Sequence, residues 1–239
     1  MKIIKAKKTK VSDIDFQNLD FGSVFSDHMF TCSFSDGEWD EGIIEPYKPI
    51  LMDPSARTLH YGQACFEGMK AYKDSNGKPW LFRPIENYKR IVKSCKRLAM
   101  PEIPEKIFMD GVSKLVDLDK EWIKPGIGNS LYIRPFIFAD QPSINANEAN
   151  QYKFMIICAP AQLYYSGDMK VKIEKSFSRA AKGGVGYAKA AGNYAAQFYP
   201  TILARDEGYQ QIIWTDSSNH EYIEEAGTMN LFFRINDTL

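Results

Sequence analysis

Cysteine and histidine are scarce in this chain. Its 239 residues hold four cysteines, Cys32, Cys65, Cys95 and Cys158, with no Cys-x-x-Cys pair. The three histidines, His28, His60 and His220, are equally scattered. That spacing argues against a disulfide scaffold and a clustered metal site, so no metal is expected and the thiols read as buried groups of a cytoplasmic protein. No apolar run reaches the length of a membrane span. Met1-Lys2-Ile3-Ile4-Lys5 lacks the sustained apolar stretch of a secretory signal, and Asp13 and Asp15 argue against a transit peptide. Thirty basic and thirty acidic residues leave no net charge, so neither nucleic acid nor an anionic membrane is an expected partner. Lys2, Lys5, Lys7, Lys8 and Lys10 make a basic start, read as a solvated terminus. Repeats, low-complexity stretches, a Gly-x-Ser-x-Gly elbow and a Walker loop are missing as well.

What remains is a globular composition, 44% hydrophobic and 25% charged, enough for a real core. Met29–Phe34 suits a strand, and Gly68–Tyr72 with Trp80–Phe82 suits a hairpin around the turn Asp74–Pro79. Ile85, Tyr88, Ile91, Val92, Cys95 and Leu98 recur at helical period, which predicts a helix from Ile85 to Met100, ended by Pro101 and Pro104. A second helix is predicted from Pro104 to Trp122. Leu131–Phe138 and Tyr152–Cys158 are almost continuously apolar and read as central strands. Residues 161–170 look like a linker between an N-terminal domain, 1–160, and the first part of a second, 171–239. The second begins with an alternating strand, Met169–Glu174, and carries a helix from Asn193 to Glu207, stopped by Gly208, with two or three short strands to close. The fold class is therefore mixed α/β, or α+β, with antiparallel hairpins rather than regular βαβ alternation.

The chemistry centres on Lys189, in the run Gly183-Gly184-Val185-Gly186-Tyr187-Ala188-Lys189-Ala190-Ala191-Gly192-Asn193-Tyr194. A lysine among small residues has room for a planar group at its amine, and on this loop alone a surface lysine is the better reading. The Gly183–Gly186 stretch lacks the spacing of a phosphate-cradling loop. Glu225, before the small-residue turn Ala226-Gly227-Thr228, shifts the balance. An amine, a phenol and a carboxylate are the side chains that a pyridoxal ring requires. Strand period puts Glu224 and Glu225 on opposite faces, so only one of them can face a site, and a solvated strand end is the other reading. Arg90 reads from spacing alone as a helix-surface cation, although a guanidinium fork matches phosphate. Tyr132 and Arg134 share one face of an otherwise apolar strand, as a carboxylate clamp or as a core-edge arginine. The run from His60 to Gly68, with Tyr61 and Phe66, fits an apolar pocket or ordinary packing.

These segments, in this order, resemble the branched-chain amino acid aminotransferases of the class IV aminotransferases, pyridoxal fold type IV. The likeness is carried by Phe25-Ser26-Asp27-His28-Met29, Leu59-His60-Tyr61-Gly62, Cys65-Phe66-Glu67-Gly68-Met69-Lys70-Ala71-Tyr72 and Leu81-Phe82-Arg83-Pro84. It continues in Leu131-Tyr132-Ile133-Arg134-Pro135, in the Lys189 loop through Tyr194, and in Glu225-Ala226-Gly227-Thr228-Met229-Asn230-Leu231. Seven motifs in one order are specific where one would be weak.

The resemblance implies pyridoxal 5'-phosphate as cofactor, bonded covalently at Lys189, which also carries the proton between substrate Cα and the cofactor. It implies that Tyr194 meets the ring's phenolic oxygen, Glu225 its nitrogen and Arg90 its phosphate. Tyr61, Phe66 and Tyr132 would line the substrate pocket, Arg134 would help hold the substrate carboxylate, and Thr228 would face the substrate. The implied reaction moves an amino group between leucine, isoleucine or valine and 2-oxoglutarate, in a homodimer serving amino-acid metabolism. Two other readings stand beside it. One is another fold type IV activity, D-amino acid transamination or aminodeoxychorismate lyase chemistry, against which the Gly-Thr-Met-Asn-Leu and Phe-Glu-Gly-Met-Lys runs speak. The other is a folded fragment without catalysis. Ala191 stands where the family usually has glycine, and Gln63 and Cys65 stand where it varies. The family's second domain continues past the position of Leu239, so the second domain is expected to be incomplete. On that expectation, residues 1–239 alone bind the cofactor weakly and transaminate little.

Overall fold

The structure is a computed structural model, and it describes residues 1–16, 18–162 and 167–239. The chain divides into two compact units, Met1–Tyr165 and Ser166–Leu239. Residues 163–166 of the expected linker lie outside the described residues, and Ala161 closes a strand.

The first unit contains β1 (Lys2–Ile3), β2 (His28–Ser35), β3 (Glu38–Trp39), β4 (Ile43–Pro46), α1 (Arg57–Tyr61), β5 (Ala64–Phe66), β6 (Met69–Lys73) and β7 (Pro79–Leu81). It continues with α2 (Pro84–Arg97), α3 (Glu105–Leu118), β8 (Ser130–Ala139) and β9 (Tyr152–Ala161). Among the described residues these strands form one sheet in the order β1-β4-β2-β9-β8-β6-β7, with β3 on β2 and β5 on β8. The two most apolar strands, β8 and β9, are interior, as their composition predicts. All pairings are antiparallel except β1 with β4.

Alternation along β8 decides what each face does. Leu131, Ile133 and Ile137 enter the main core with Ile91 and Cys95 of α2 and Phe108, Val112 and Leu115 of α3. Tyr132, Arg134 and Phe136 stand on the other face, only partly buried. Phe66 of β5 is paired with Phe136 and so shares that face. Pro135 has no N–H to give a ladder, and its carbonyl accepts from the Glu67 N–H at 2.7 Å. Phe66 pairs with Phe136 and Met69 with Ile133, so Glu67 and Gly68 fall in the break between β5 and β6, opposite Pro135 and Arg134.

Both helices stop earlier than the sequence predicts. After Arg97, Ala99 adopts φ 53°, Ala99 N–H bonds to Lys96 O and Met100 N–H bonds to Cys95 O. That is a Schellman stop with alanine where glycine is usual, which is why it leaves no sequence signal. α3 ends at Leu118, and Lys120–Trp122 form a separate 3-10 turn. Asp119 leaves the helix to accept from the His28 backbone N–H at 3.0 Å and to pair with His28 Nδ1 at 2.5 Å. Next to it, Asp27 accepts from Trp122 Nε1, Thr9 Oγ1 and Lys10 N–H. The Phe25–Met29 motif is thus a structural staple.

The second unit contains β10 (Val171–Ile173), α4 (Ala191–Asp206), β11 (Gln211–Thr215) and β12 (Ile223–Ala226). β11 lies between β10, parallel to it, and β12, antiparallel. Ala204 of α4 packs on Ile212 and Trp214 of β11. Gly208 follows α4 with φ 86°, a backbone that glycine adopts at no steric cost.

Candidate active site

Lys189 lies two residues before α4, between the buried Ala188 and Ala190. Its Nζ donates to Tyr194 Oη at 2.7 Å. Five positions of sequence become a direct contact because the helix begins between the two residues and turns Tyr194 back toward the loop.

The loop is held from several sides. Gly186 packs so closely on Ala180 that a Cβ would overlap the Ala180 methyl. Arg179 Nη1 donates to Gly186 O at 3.1 Å, and Asn193 Nδ2 donates to Val185 O and Ala188 O, both at 2.9 Å. The same Arg179 forms an ion pair with Glu225 on β12. Its side chain is 8% exposed against 44% for that of Glu225, so the cation is the buried partner. Arg179 Nε has no hydrogen-bond partner among the described residues. Glu224 is exposed, and Glu225 is the member of the pair engaged.

The turn after β12 rests on buried amides. A Cβ at Gly227 would lie 2.6 Å from Gln211 Oε1 and 3.3 Å from Gln197 Oε1, so only glycine brings the backbone this close. Gln211 Nε2 donates to Thr228 Oγ1 at 2.8 Å. Asp216 fixes the connection ahead of β12, accepting from the backbone N–H groups of Ser218, Asn219, Glu221 and Tyr222. Those donors hold its carboxyl well below the usual range, the Asn219 and Tyr222 N–H groups most strongly.

In the first unit, the structure brings Phe66, Tyr132 and Arg134 together. The Arg134 guanidinium lies 4.4 Å from the Phe66 ring centre and donates to Tyr132 Oη at 3.0 Å. Arg134 Nε is buried without a partner among the described residues. Gly68 makes room for the Tyr132 hydroxyl, which a Cβ would overlap. Tyr61, at the end of α1, instead gives its hydroxyl to Ile144 O. Arg90 is bound two-pronged to Glu67, Nε to Oε1 at 2.5 Å and Nη2 to Oε2 at 2.8 Å. Glu67 is fully buried and also accepts from Asn87 Nδ2 at 2.8 Å.

Glu67, Arg179, Asn193 and Gln211 hold candidate residues or the backbone beside them, and sequence reasoning assigned them no role. Glu67 and Asn193 sit inside recognised motifs. Arg179 and Gln211 carry no local signal, since their partners come from other elements.

The sequence profile of the class IV amino-transferases matches residues 64–239. The chain belongs to the class IV aminotransferase family. Among relatives of this class IV aminotransferase, branched-chain-amino-acid transaminase 1 of Bacillus subtilis is 42% identical over 98% of this chain and 68% of its own length. A probable branched-chain-amino-acid aminotransferase of Staphylococcus epidermidis is 46% identical over 92% of this chain and 62% of its own. The chain thus spans about two thirds of the relatives it matches. Its fold matches a branched-chain aminotransferase from Thermoproteus uzoniensis crystallised with norvaline, with a TM-score of 0.66 at 21% identity, covering 84% of this chain and 63% of that one. It also matches an aminotransferase from Brucella abortus bound to PLP, with a TM-score of 0.60 at 17% identity, covering 83% and 66%.

Proposed function

We propose that this chain carries the reactive lysine and a substrate-binding wall of a pyridoxal 5'-phosphate-dependent transaminase that moves the amino group between L-leucine, L-isoleucine or L-valine and 2-oxoglutarate. The contact between Lys189 Nζ and Tyr194 Oη at 2.7 Å carries the reading, because it offers an amine and a phenol at one point. The residues suit the cofactor in kind. Lys189 is flanked by two small, buried alanines, and the carboxylate of Glu225 lies on a strand of the same unit.

When bound, the cofactor supplies an aldehyde that joins to amines and an electron-poor ring that stabilises negative charge at the substrate Cα. Lys189 Nζ is then the base that takes the Cα proton and returns it. Tyr194 Oη orients that amine. Glu225 is the acceptor for a protonated ring nitrogen in this reading, and buried Arg179 is its ion-pair partner. Arg90, whose Nε and Nη2 are held by Glu67, is the phosphate partner in this reading through the rest of its guanidinium. Phe66 and Tyr132 form apolar walls, with Tyr61 nearby in sequence and Thr228 on the turn after β12. Arg134 receives a carboxylate, the distal one when glutamate is the substrate. An apolar pocket separates one methylene from another only weakly, so the three branched amino acids remain one substrate class. The active assembly in this reading is a homodimer, and four buried free thiols suit a cytoplasmic setting.

Absorbance of the purified chain with pyridoxal 5'-phosphate tests the assignment. A visible band that disappears in Lys189→Ala and is bleached by L-leucine, L-isoleucine or L-valine is the expected result. A band of equal size in Lys189→Ala removes the cofactor role of Lys189. Bleaching by D-alanine, or turnover of aminodeoxychorismate in place of the L-branched amino acids, moves the activity elsewhere in fold type IV.

A further inference from the structure

The backbone carbonyls of Val185, Gly186 and Ala188 each accept from a side chain outside the loop. Glycine-rich backbone has little preference for one conformation, so something must choose it. Asn193 is buried and lies on the first turn of α4, next to Tyr194. Its one amide nitrogen spans Val185 O and Ala188 O at 2.9 Å each, and Ala188 is bonded directly to Lys189. Arg179 holds the carbonyl between them at 3.1 Å while pairing with Glu225. The close approach of Gly186 to Ala180, the neighbour of Arg179, presses the loop onto the same segment.

We propose that Asn193 and Arg179 are positioning residues for Lys189: Asn193 sets the arc of the loop so that the amine meets the Tyr194 hydroxyl, and Arg179 ties that arc to the carboxylate of Glu225. The proposal rests on Lys189 being the reactive amine. Both Asn193 contacts are donations to carbonyls. Aspartate has the same shape but brings carboxylate oxygens against carbonyl oxygens, whereas alanine only leaves two carbonyls unpaired. A residue that merely fills space tolerates aspartate better than alanine. A residue that positions by donating hydrogen bonds shows the reverse order.

The test is competitive trace acetylation of the cofactor-free 239-residue chain across the alkaline range, read by mass spectrometry. Lys182, exposed in the same region, is the internal reference for the half-buried Lys189. In the native chain Lys189 is expected to react several-fold more slowly than Lys182, because its amine is engaged by Tyr194. Asn193→Asp and Arg179→Gln should bring the ratio and the pH profile close to those of Lys182, and Asn193→Ala should move them part of the way. Far-UV circular dichroism establishes that each variant folds. An unchanged Lys189 profile in folded Asn193→Asp, or a larger change in Asn193→Ala than in Asn193→Asp, overturns the proposal. If Asn193→Asp does not fold, an unchanged profile in Asn193→Ala overturns it. The visible band of the native chain with pyridoxal 5'-phosphate is read separately. Its absence alongside shifted acetylation ratios removes the catalytic reading of Lys189 and leaves the positioning intact.

Discussion

A hydroxyl five residues from a lysine is a small feature, yet at 2.7 Å it sets where the Lys189 amine points. Tyr194→Phe keeps the ring and removes only that oxygen. In the proposed transamination the rate should fall roughly 10- to 100-fold, on the order of the 1–3 kcal/mol of one hydrogen bond, with melting temperature little changed. Steady-state rates with L-leucine beside a thermal melt check both halves. Glu67 makes a different demand. It is a fully buried carboxylate whose partners are Arg90, Asn87 and the Gly68 N–H. Glu67→Gln replaces one acceptor oxygen by a donor facing the guanidinium. Because Arg90 is half exposed, the cost is screened, and about 1–3 kcal/mol is expected in denaturant unfolding. Glu67 stood inside the motif Phe66-Glu67-Gly68, but nothing in the sequence said that its partner would be Arg90 on the next helix.

Among elements, the end of α2 shows how a helix stop can be silent in sequence. Apolar period continues through Leu98, and proline arrives only at Pro101, yet the helix ends at Arg97. Ala99 takes the left-handed conformation that glycine favours. Ala99→Gly removes that strain while adding freedom to the unfolded chain. The balance should stabilise the protein by about 0.5–1 kcal/mol, visible as a melting temperature a few degrees higher. The end of α3 was equally hidden, for another reason: Asp119 is drawn away by His28, distant in sequence. By contrast, the alternation of β8 was legible: it separates the core residues Leu131, Ile133 and Ile137 from Tyr132 and Arg134 on the other face.

At the scale of the molecule, the first unit is closed by buried polar staples as well as by its core. Asp27 joins the N-terminal segment, through Thr9 and Lys10, to the 3-10 turn of Trp122. Burial opposes ionisation of Asp27, but the hydrogen bonds from Thr9, Lys10 and Trp122 prevail and hold its carboxyl below the ordinary value of 3.8. A carboxyl with a depressed folded pKa contributes stability that is complete above its unfolded pKa and is lost as pH falls through the folded one. Unfolding free energy should therefore decline below about pH 4. Asp27→Asn should lower stability at neutral pH by about 1–3 kcal/mol and flatten that acid limb. Denaturant melts from pH 3 to pH 7 (roughly the span around the carboxyl range) distinguish the two proteins.

Sequence by itself determined what depends on near neighbours and on period. The small residues around Lys189, the tyrosine five positions past it, the two-faced character of β8 and the rule that only one of Glu224 and Glu225 can face a given side all follow from spacing along the chain. Tertiary structure alone decided the partnerships: Glu67 with Arg90, Arg179 with Glu225 and Gly186, Gln211 with Thr228. A buried charge or amide must be satisfied by whichever group the folded backbone delivers to it. That group is chosen by the course of several elements at once, which no local pattern records.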